Sequence, residues 1–305
     1  MRRAGTGAVH LIDASYFVFR AYYSVGIEMT DGDGQPVNAL YGFGRFLGDL
    51  LEESGAAHVA VAFDESLSSS FRNEIFPAYK ANREPAPPEL KRQFALCREL
   101  CRLLGVAEFS SPTHEADDII GTLATRLRRR GHRSVLVTRD KDLAQLIRDG
   151  DAYWDYAGER RYGYHEIEAQ FGVRPERMAD YLALTGDSVD NIPGVPGVGP
   201  KTASALLRTF ASLEELYEGL ERVPGLPIRG ASQLPEKLRR HREAAFFARR
   251  LTTIACDMPL DVDAHALARR RPDLPKLEAF YDAAKFGAAL RRQAGRLADK
   301  WTASN

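Results

Sequence analysis

Cysteine is scarce, three in 305 residues, so no disulfide framework staples this chain. Cys97 and Cys101 are one helical turn apart and read as core-facing, and Cys256 stands alone. That usage reads as a reducing, cytoplasmic protein. A structural zinc site needs about four Cys or His ligands, and no grouping with that spacing occurs. Long apolar runs are missing too: no stretch of about 18 apolar residues could span a membrane. Met1 to Gly7, ahead of the first apolar run, is too short to read as a secretion signal. Net charge is also lacking, since 42 Lys and Arg cancel 42 Asp and Glu, which weighs against a generic basic nucleic-acid binder. No long internal repeat and no low-complexity tract occurs.

What is present is a well-stocked core and an uneven charge. With 44% hydrophobic residues, the chain can fill one large domain or two smaller ones. Residues 226–305 carry 16 Lys and Arg against 9 Asp and Glu, leaving 26 against 33 in residues 1–225. An acidic body beside a basic tail region suits a metal site next to a polyanion-binding surface.

The densest feature is His114-Glu115-Ala116-Asp117-Asp118-Ile119-Ile120-Gly121, three acids at the start of a helix expected over 114–130. Thr113 reads as its N-cap, and one or two acids in a first turn are favoured by the helix dipole. Three are not, because at about 100° per residue Glu115 nearly eclipses Asp118, and like charges so close repel unless a cation joins them. More acids follow apolar runs elsewhere: Val9 to Asp13, His58 to Asp64, and Ser134 to Thr138 running into Asp140 and Asp142. Helices are expected over 35–53 (stopped by Gly55) and 90–104, with a short strand over 105–109. Strands alternating with helices imply a mostly parallel sheet flanked by helices, an α/β fold whose ligands bind beyond the carboxyl ends of the strands. Asp13, Asp64, Asp140 and Asp142 all fall at such ends.

Two regions break the rhythm. Residues 65–90 interleave Arg72, Lys80 and Arg83 with Phe71, Phe76 and Tyr79, a long connection of the kind that forms lids or binding elements, with cations for phosphates and aromatics for bases. Residues 185–203 hold Asp187, Asp190 and the glycines Gly194, Gly197 and Gly199 before Pro200, Lys201 and Thr202. A P-loop reading fails, because Pro200 stands where Lys is required and no strand precedes the loop. A helix–hairpin–helix element fits instead, its glycines letting backbone approach a phosphate and its second helix donating amides. Beyond 210 only helices are expected: 212–220, a basic one over 233–254 (Lys237, Arg239, Arg240, Arg242, Arg249, Arg250), and a final one over 272–300. The division expected is a core over 1–175, a helix–hairpin–helix region over 176–260 and a helical extension over 261–305.

In this order, Leu11-Ile12-Asp13, Asn38 to Phe43, Ala62-Phe63-Asp64, Tyr79 to Arg83, Glu115 to Asp118, Thr138 to Asp142 and Gly186 to Thr202 resemble the bacterial 5′-3′ exonuclease and flap endonuclease family, including the N-terminal domain of DNA polymerase I, across roughly residues 8–260. The resemblance implies a PIN-like or resolvase-like nuclease core with a C-terminal helix–hairpin–helix region, in a free-standing, monomeric member. It implies two Mg²⁺ or Mn²⁺ ions: Asp13, Asp64, Glu115 and Asp117 for one, Asp140, Asp142 and Asp187 for the other, Asp118 and Asp190 direct or through water. Lys80 and Arg83 are implied as catalytic contacts to the scissile phosphate. Arg20, Arg72, Tyr79, Gly194, Gly197, Gly199, Lys201 and Thr202 are implied as DNA-binding, with a K⁺ at the 194–202 loop. The implied substrates are DNA with 5′ flaps, nicks or 5′ ends, or RNA–DNA hybrids, in replication and repair beside a DNA polymerase. Two alternatives stay open: a PIN-like ribonuclease, and a non-catalytic binder of DNA junctions.

Overall fold

The computed structural model describes residues 7–24, 26, 28–65, 69–260 and 262–304. Residues 66–68 of the expected lid, and residues 1–6, lie outside them. Strand β1 (Val9–Asp13) is buried throughout, as an apolar run with packing on both faces must be. It runs directly into α1 (Ala14–Ser24), and then α2 (Asn38–Ser54) buries Leu40, Phe43, Leu47, Leu50 and Leu51 along one stripe. Gly55 ends α2 at φ 56°, a left-handed stop that glycine takes without strain. After β2 (Val59–Asp64) comes a short helix, α3 (Phe71–Ile75), capped by Ser70. Then follow α4 (Pro88–Leu103), β3 (Ala107–Ser111), α5 (Ala116–Arg129) and β4 (Ser134–Val137). A 3-10 turn over Lys141–Leu146 precedes the hairpin strands β5 (Ala152–Asp155) and β6 (Arg160–Tyr162). The rest is helical: α6 (Tyr164–Phe171), α7 (Met178–Thr185), α8 (Pro200–Thr209), α9 (Leu213–Glu218), α10 (Leu234–Arg240), α11 (Arg242–Thr252), α12 (Leu274–Ala283) and α13 (Ala288–Ser304).

Two expected helices prove to be pairs. The 233–254 helix breaks at His241, whose N–H is shared among three carbonyls as α10 closes. The 272–300 helix breaks between α12 and α13, where Lys285 takes φ 53°. The α5 cap also differs from expectation. Ser111 Oγ accepts from the N–H groups of Thr113 and His114 (3.3 and 3.2 Å), making a turn that delays the helix, and Glu115, not Thr113, is the N-cap.

The chain folds as two compact units, one of Met1–Glu65, Pro85–Thr138 and Cys256–Asn305, the other of Ser66–Glu84 and Arg139–Ala255. These bounds cut across the linear division at 175 and 260. In the first unit β3, β2, β1 and β4 pair in parallel in that order. Leu11, Ile12, Val59, Val61 and Phe63 of the sheet meet Phe43, Ile119 and Leu123 of the helices, all nearly inaccessible. The C-terminal segment is part of this unit. Gln293 of α13 crosses α2 where Gly48 leaves no side chain in the way, and donates to Asp49 at 2.6 Å. Arg296 grips Glu52 through two hydrogen bonds of 2.6 and 2.9 Å. The second unit holds the antiparallel β5–β6 hairpin and a helical core of Leu182, Leu206, Phe210, Leu213, Leu216, Leu238 and Leu251. Among the described residues no helix is long and apolar enough to cross a membrane.

Candidate active site

The nine acids divide between the units, five in the first and four in the second. Each group is described on its own.

In the first unit, Asp13 and Asp64 are the last residues of β1 and β2. Asp13 pairs in register with Ala62, so parallel pairing brings both carboxyl ends to one edge. Asp13 is buried, with Oδ2 accepting from Thr138 Oγ1 at 3.0 Å. Asp64 Oδ1 accepts from the Ala116 N–H at 2.8 Å, an anion at the positive end of α5. Glu115 and Asp118 form a reciprocal capping box: Asp118 Oδ2 accepts from the Glu115 N–H at 3.1 Å, and the Glu115 carboxylate accepts from the Asp118 N–H. Asp118 is fully inaccessible while Asp117 is half-buried. The i, i+3 spacing that sequence reading treated as mutual repulsion is therefore also a helix cap. Arg20 of α1 is exposed.

In the second unit, Asp140 Oδ1 accepts from the Asp142 N–H at 2.9 Å and starts the 3-10 turn. Asp187 Oδ1 accepts from the Val189 N–H at 2.8 Å, and Asp187 and Ile192 exchange backbone bonds of 2.9 and 2.7 Å, closing a hairpin. Between these turns sits Lys141, whose ammonium lies 2.5 Å from Asp187 and 3.4 Å from Asp142. Burial pushes the Asp142 carboxyl up to about 8, with Asp140, Asp187 and Asp190 adding repulsion that Lys141 only partly offsets. Asp140 keeps an exposed surface, yet loss of hydration at its carboxyl also raises it above the ordinary range. For Asp187 burial works the same way but Lys141 wins, holding it below that range. Burial opposes the charge on Lys141, and the surrounding carboxylates override it and keep the ammonium firmly protonated.

Among the described residues, no three His, Cys, Asp or Glu side chains stand together as a ready-made metal cage. The second group nevertheless fits a divalent cation. Asp142 Oδ1 is buried and accepts no hydrogen bond, its neighbours are carboxylates, and an ammonium already occupies the centre as a stand-in charge. All-oxygen donors of this kind suit Mg²⁺ or Mn²⁺. Lys141 was missed in the sequence, although an Asp-Lys-Asp run is the pattern an internal counter-ion leaves.

Asp190 is engaged differently from the other acids. It accepts from the Tyr79 hydroxyl at 3.2 Å, pairs with Arg83, and lies 3.9 Å from the Lys80 ammonium. So Lys80 and Arg83, expected together as catalytic cations, do share one anchor. Two expected DNA contacts need correction. Arg72 is 2% exposed and its guanidinium donates to the carbonyls of Leu251 and Thr253 at 2.8 and 3.0 Å; it ties the connection to the end of α11 and presents no charge outward. The Tyr79 ring is buried, under the Lys80 ammonium at 5.0 Å, and offers no face for stacking. Sequence could not separate these from exposed neighbours, because burial depends on what packs from far along the chain.

The 194–202 loop joins α7 to α8, pinned by Val195 N–H to Leu184 O at 2.9 Å and by buried Val195 and Val198. Its three glycines serve three ends. A Cβ at Gly194 would overlap the Thr185 peptide; Gly197 takes φ +82°; Gly199 faces open space. Gly199 is the N-cap of α8 and supplies no side-chain acceptor to its first turn, where Lys201 is exposed and Thr202 half-buried. Lys237 of α10 reaches to 3.2 Å from where a Gly197 Cβ would stand, so a cation flanks the loop. Of the basic run, Arg249 is committed to Glu214 at 2.5 Å and Asp180 at 3.4 Å.

An acid-lined parallel sheet and a helical unit built on a glycine hairpin define a class of α/β protein suited to cations and phosphates. The match to family models is specific: residues 8–172 fit the 5′-3′ exonuclease N-terminal resolvase-like domain and residues 173–275 its C-terminal SAM fold. The chain belongs to the 5′-3′ exonuclease family. It is 40% identical over 282 residues to the thermostable DNA polymerase I of Thermus filiformis, covering 92% of this chain and 32% of that protein. It is also 40% identical over 277 residues to DNA polymerase I of Pseudomonas aeruginosa, covering 90% and 30%. The chain thus spans about a third of the length of the curated relatives it matches. Among solved structures, T5 5′-exonuclease with bound zinc aligns at TM-score 0.65 and 20% identity over 96% of this chain and 99% of that one. The catalytic core of Rad2 with DNA substrate aligns at 0.64 and 16% over 95% and 91%.

Proposed function

We propose that this protein is a divalent-metal-dependent 5′-3′ exonuclease and 5′-flap endonuclease acting on DNA. The observation that carries this reading is the half-buried Asp142 carboxylate, whose buried Oδ1 accepts no hydrogen bond and has the Lys141 ammonium 3.4 Å away, and which is pushed up to about 8 by burial and by Asp140, Asp187 and Asp190. Such a group is tolerable as an anion when a cation joins it. The family, and relatives whose structures hold divalent metal or DNA, support the same reading.

Asp13, Asp64, Glu115 and Asp117 would hold one Mg²⁺ or Mn²⁺, Asp140, Asp142 and Asp187 the other, with Asp118 and Asp190 direct or through water. Ions so held supply acidified water and positive charge for a phosphodiester. Lys80 and Arg83 orient the scissile phosphate and oppose the charge that develops on it. Gly199, Lys201 and Thr202, with Lys237 beside them, grip duplex backbone without reading bases, and a K⁺ held by carbonyls of the 194–202 loop adds to that grip. Specificity then follows the shape of a 5′ end, flap or nick, in replication and repair alongside a DNA polymerase.

The deciding experiment uses 5′-labelled flap, nicked and RNA-primed substrates with Mg²⁺, with EDTA as control. Metal-dependent release of the 5′ strand is expected. Preference for matched single-stranded RNA would transfer the site to ribonuclease chemistry, and tight flap binding with no cleavage would reduce the protein to a junction binder.

A further inference from the structure

The 76–83 segment is a chain of tight turns, with Tyr79 N–H to Phe76 O at 2.8 Å and Arg83 N–H to Lys80 O at 3.0 Å. Within it Lys80 takes φ 55°, and in the hairpin head Asn191 takes φ 58°, a region L side chains rarely enter and Asn tolerates best. The two turns that carry these left-handed residues are bonded to each other. The Lys80 N–H donates to Asp190 O at 3.0 Å, and the Asn191 amide donates to Ala78 O at 2.7 Å. On the other side the Asn82 amide donates to Ser188 O at 2.9 Å, and Arg83 Nε reaches Val189 O at 3.3 Å. The Tyr79 hydroxyl and the Arg83 guanidinium both close on the Asp190 carboxylate.

The buried Tyr79 ring, Phe76 against Phe247 and the Asn73 amide on Tyr79 O at 3.0 Å anchor the start of this segment, while the exposed turn beyond Tyr79 depends on its bonds to the hairpin head for a single conformation. Here the bonds run between segments more than a hundred residues apart in sequence, and they bracket Lys80 on both sides. We propose that Asn191 and Asn82 are positioning residues: their amides latch the 78–83 turn onto the 187–191 hairpin head and fix the direction in which Lys80 and Arg83 present their charges. This rests on the reading of Lys80 and Arg83 as phosphate contacts, but the latch itself does not.

The test pairs a structural and a kinetic readout. Asn191→Gly removes the amide while keeping a residue at ease at φ 58°, and Asn82→Ala removes the opposite bond at an exposed position. In metal-free protein, amide hydrogen exchange at Lys80 should quicken roughly three- to tenfold in each variant, the factor one lost hydrogen bond carries, with α7 and α8 unchanged. On flap DNA with Mg²⁺, kcat should fall roughly tenfold, less than a 1 Å misplacement can cause, with KM within about twofold. In a Lys80→Ala background the same substitutions should lower kcat no further. Unaltered exchange at Lys80 in both variants would overturn the latch. Losses that add fully to that of Lys80→Ala would overturn positioning through Lys80. A wild-type protein that cuts no DNA would remove the nuclease reading alone, and the exchange result would still decide the latch.

Discussion

Replacing Gly194 and Gly199 each by alanine separates two reasons for a glycine in the hairpin loop. A Cβ added at Gly194 would lie 2.5 Å from the Thr185 carbonyl oxygen, well inside the shortest contact such atoms make, and the obstacle is backbone that cannot swing aside. Overpacking of this kind typically costs about 1–3 kcal/mol, so Gly194→Ala should melt several degrees lower, at roughly 2–4 °C per kcal/mol. At Gly199 nothing lies within 4 Å of the added carbon, and replacing a glycine N-cap by alanine costs under about 1 kcal/mol. On the proposed grip of duplex backbone, the methyl group would instead stand in the way of a phosphate approaching the α8 amides. A hydrogen bond to a charged group carries about 1.5–3 kcal/mol, so flap-DNA affinity should drop roughly tenfold or more. Thermal melts and fluorescence anisotropy with Ca²⁺ in place of Mg²⁺ read the two effects separately. Equal destabilisation by both changes would refute the packing argument, and undiminished affinity in Gly199→Ala would refute the phosphate approach.

Asp142→Asn should lower Mg²⁺-dependent cleavage by at least about 100-fold while leaving the EDTA-treated protein as stable as wild type or more so, since a crowded buried charge is removed; a marked loss of metal-free stability would contradict this. Lys80→Ala should reduce kcat far more than affinity, and equal losses would recast it as a binding residue. Leu297→Ala, at a position 1% exposed, should cost about 2–5 kcal/mol in urea unfolding; a negligible cost would mean that α13 is not part of the first unit's core. The Arg249 guanidinium holds the Glu214 carboxyl down to about 2, so this pair contributes stability above the unfolded carboxylate pKa near about 4.3 and loses it as pH falls toward about 2. Because Glu214 is half exposed, the contribution is at most about 1 kcal/mol; a Glu214→Gln penalty that persisted at about pH 2 would exclude the ion pair as its source.

Local pattern was enough for the elements with strong periodicity. The apolar runs ending at Asp13 and Asp64, the stripe of α2 with its Gly55 stop, and the boundaries of α7 and α8 at the hairpin loop are all written within a few neighbouring residues. Weak local signals misled: Thr113 looks like a cap until Ser111 is seen to hold the turn, and nothing in residues 233–254 announces the break at His241. Burial was the larger gap. Arg72 and Arg83 are alike in sequence, one interleaved with aromatics as the other is, yet Arg72 is enclosed by the end of α11 and Arg83 reaches the hairpin head. The same holds for the pairing of Lys141 with Asp187 and for Asn82 and Asn191, whose partners lie from 46 to 113 residues away. Residue type and spacing determined which side chains could carry charge at strand ends and turns. Only the tertiary structure decided which carboxylate is capped, which is countered by an ammonium and which keeps an oxygen without a hydrogen bond, because desolvation and hydrogen bonding depend on every segment packed around a group and not on the few residues beside it.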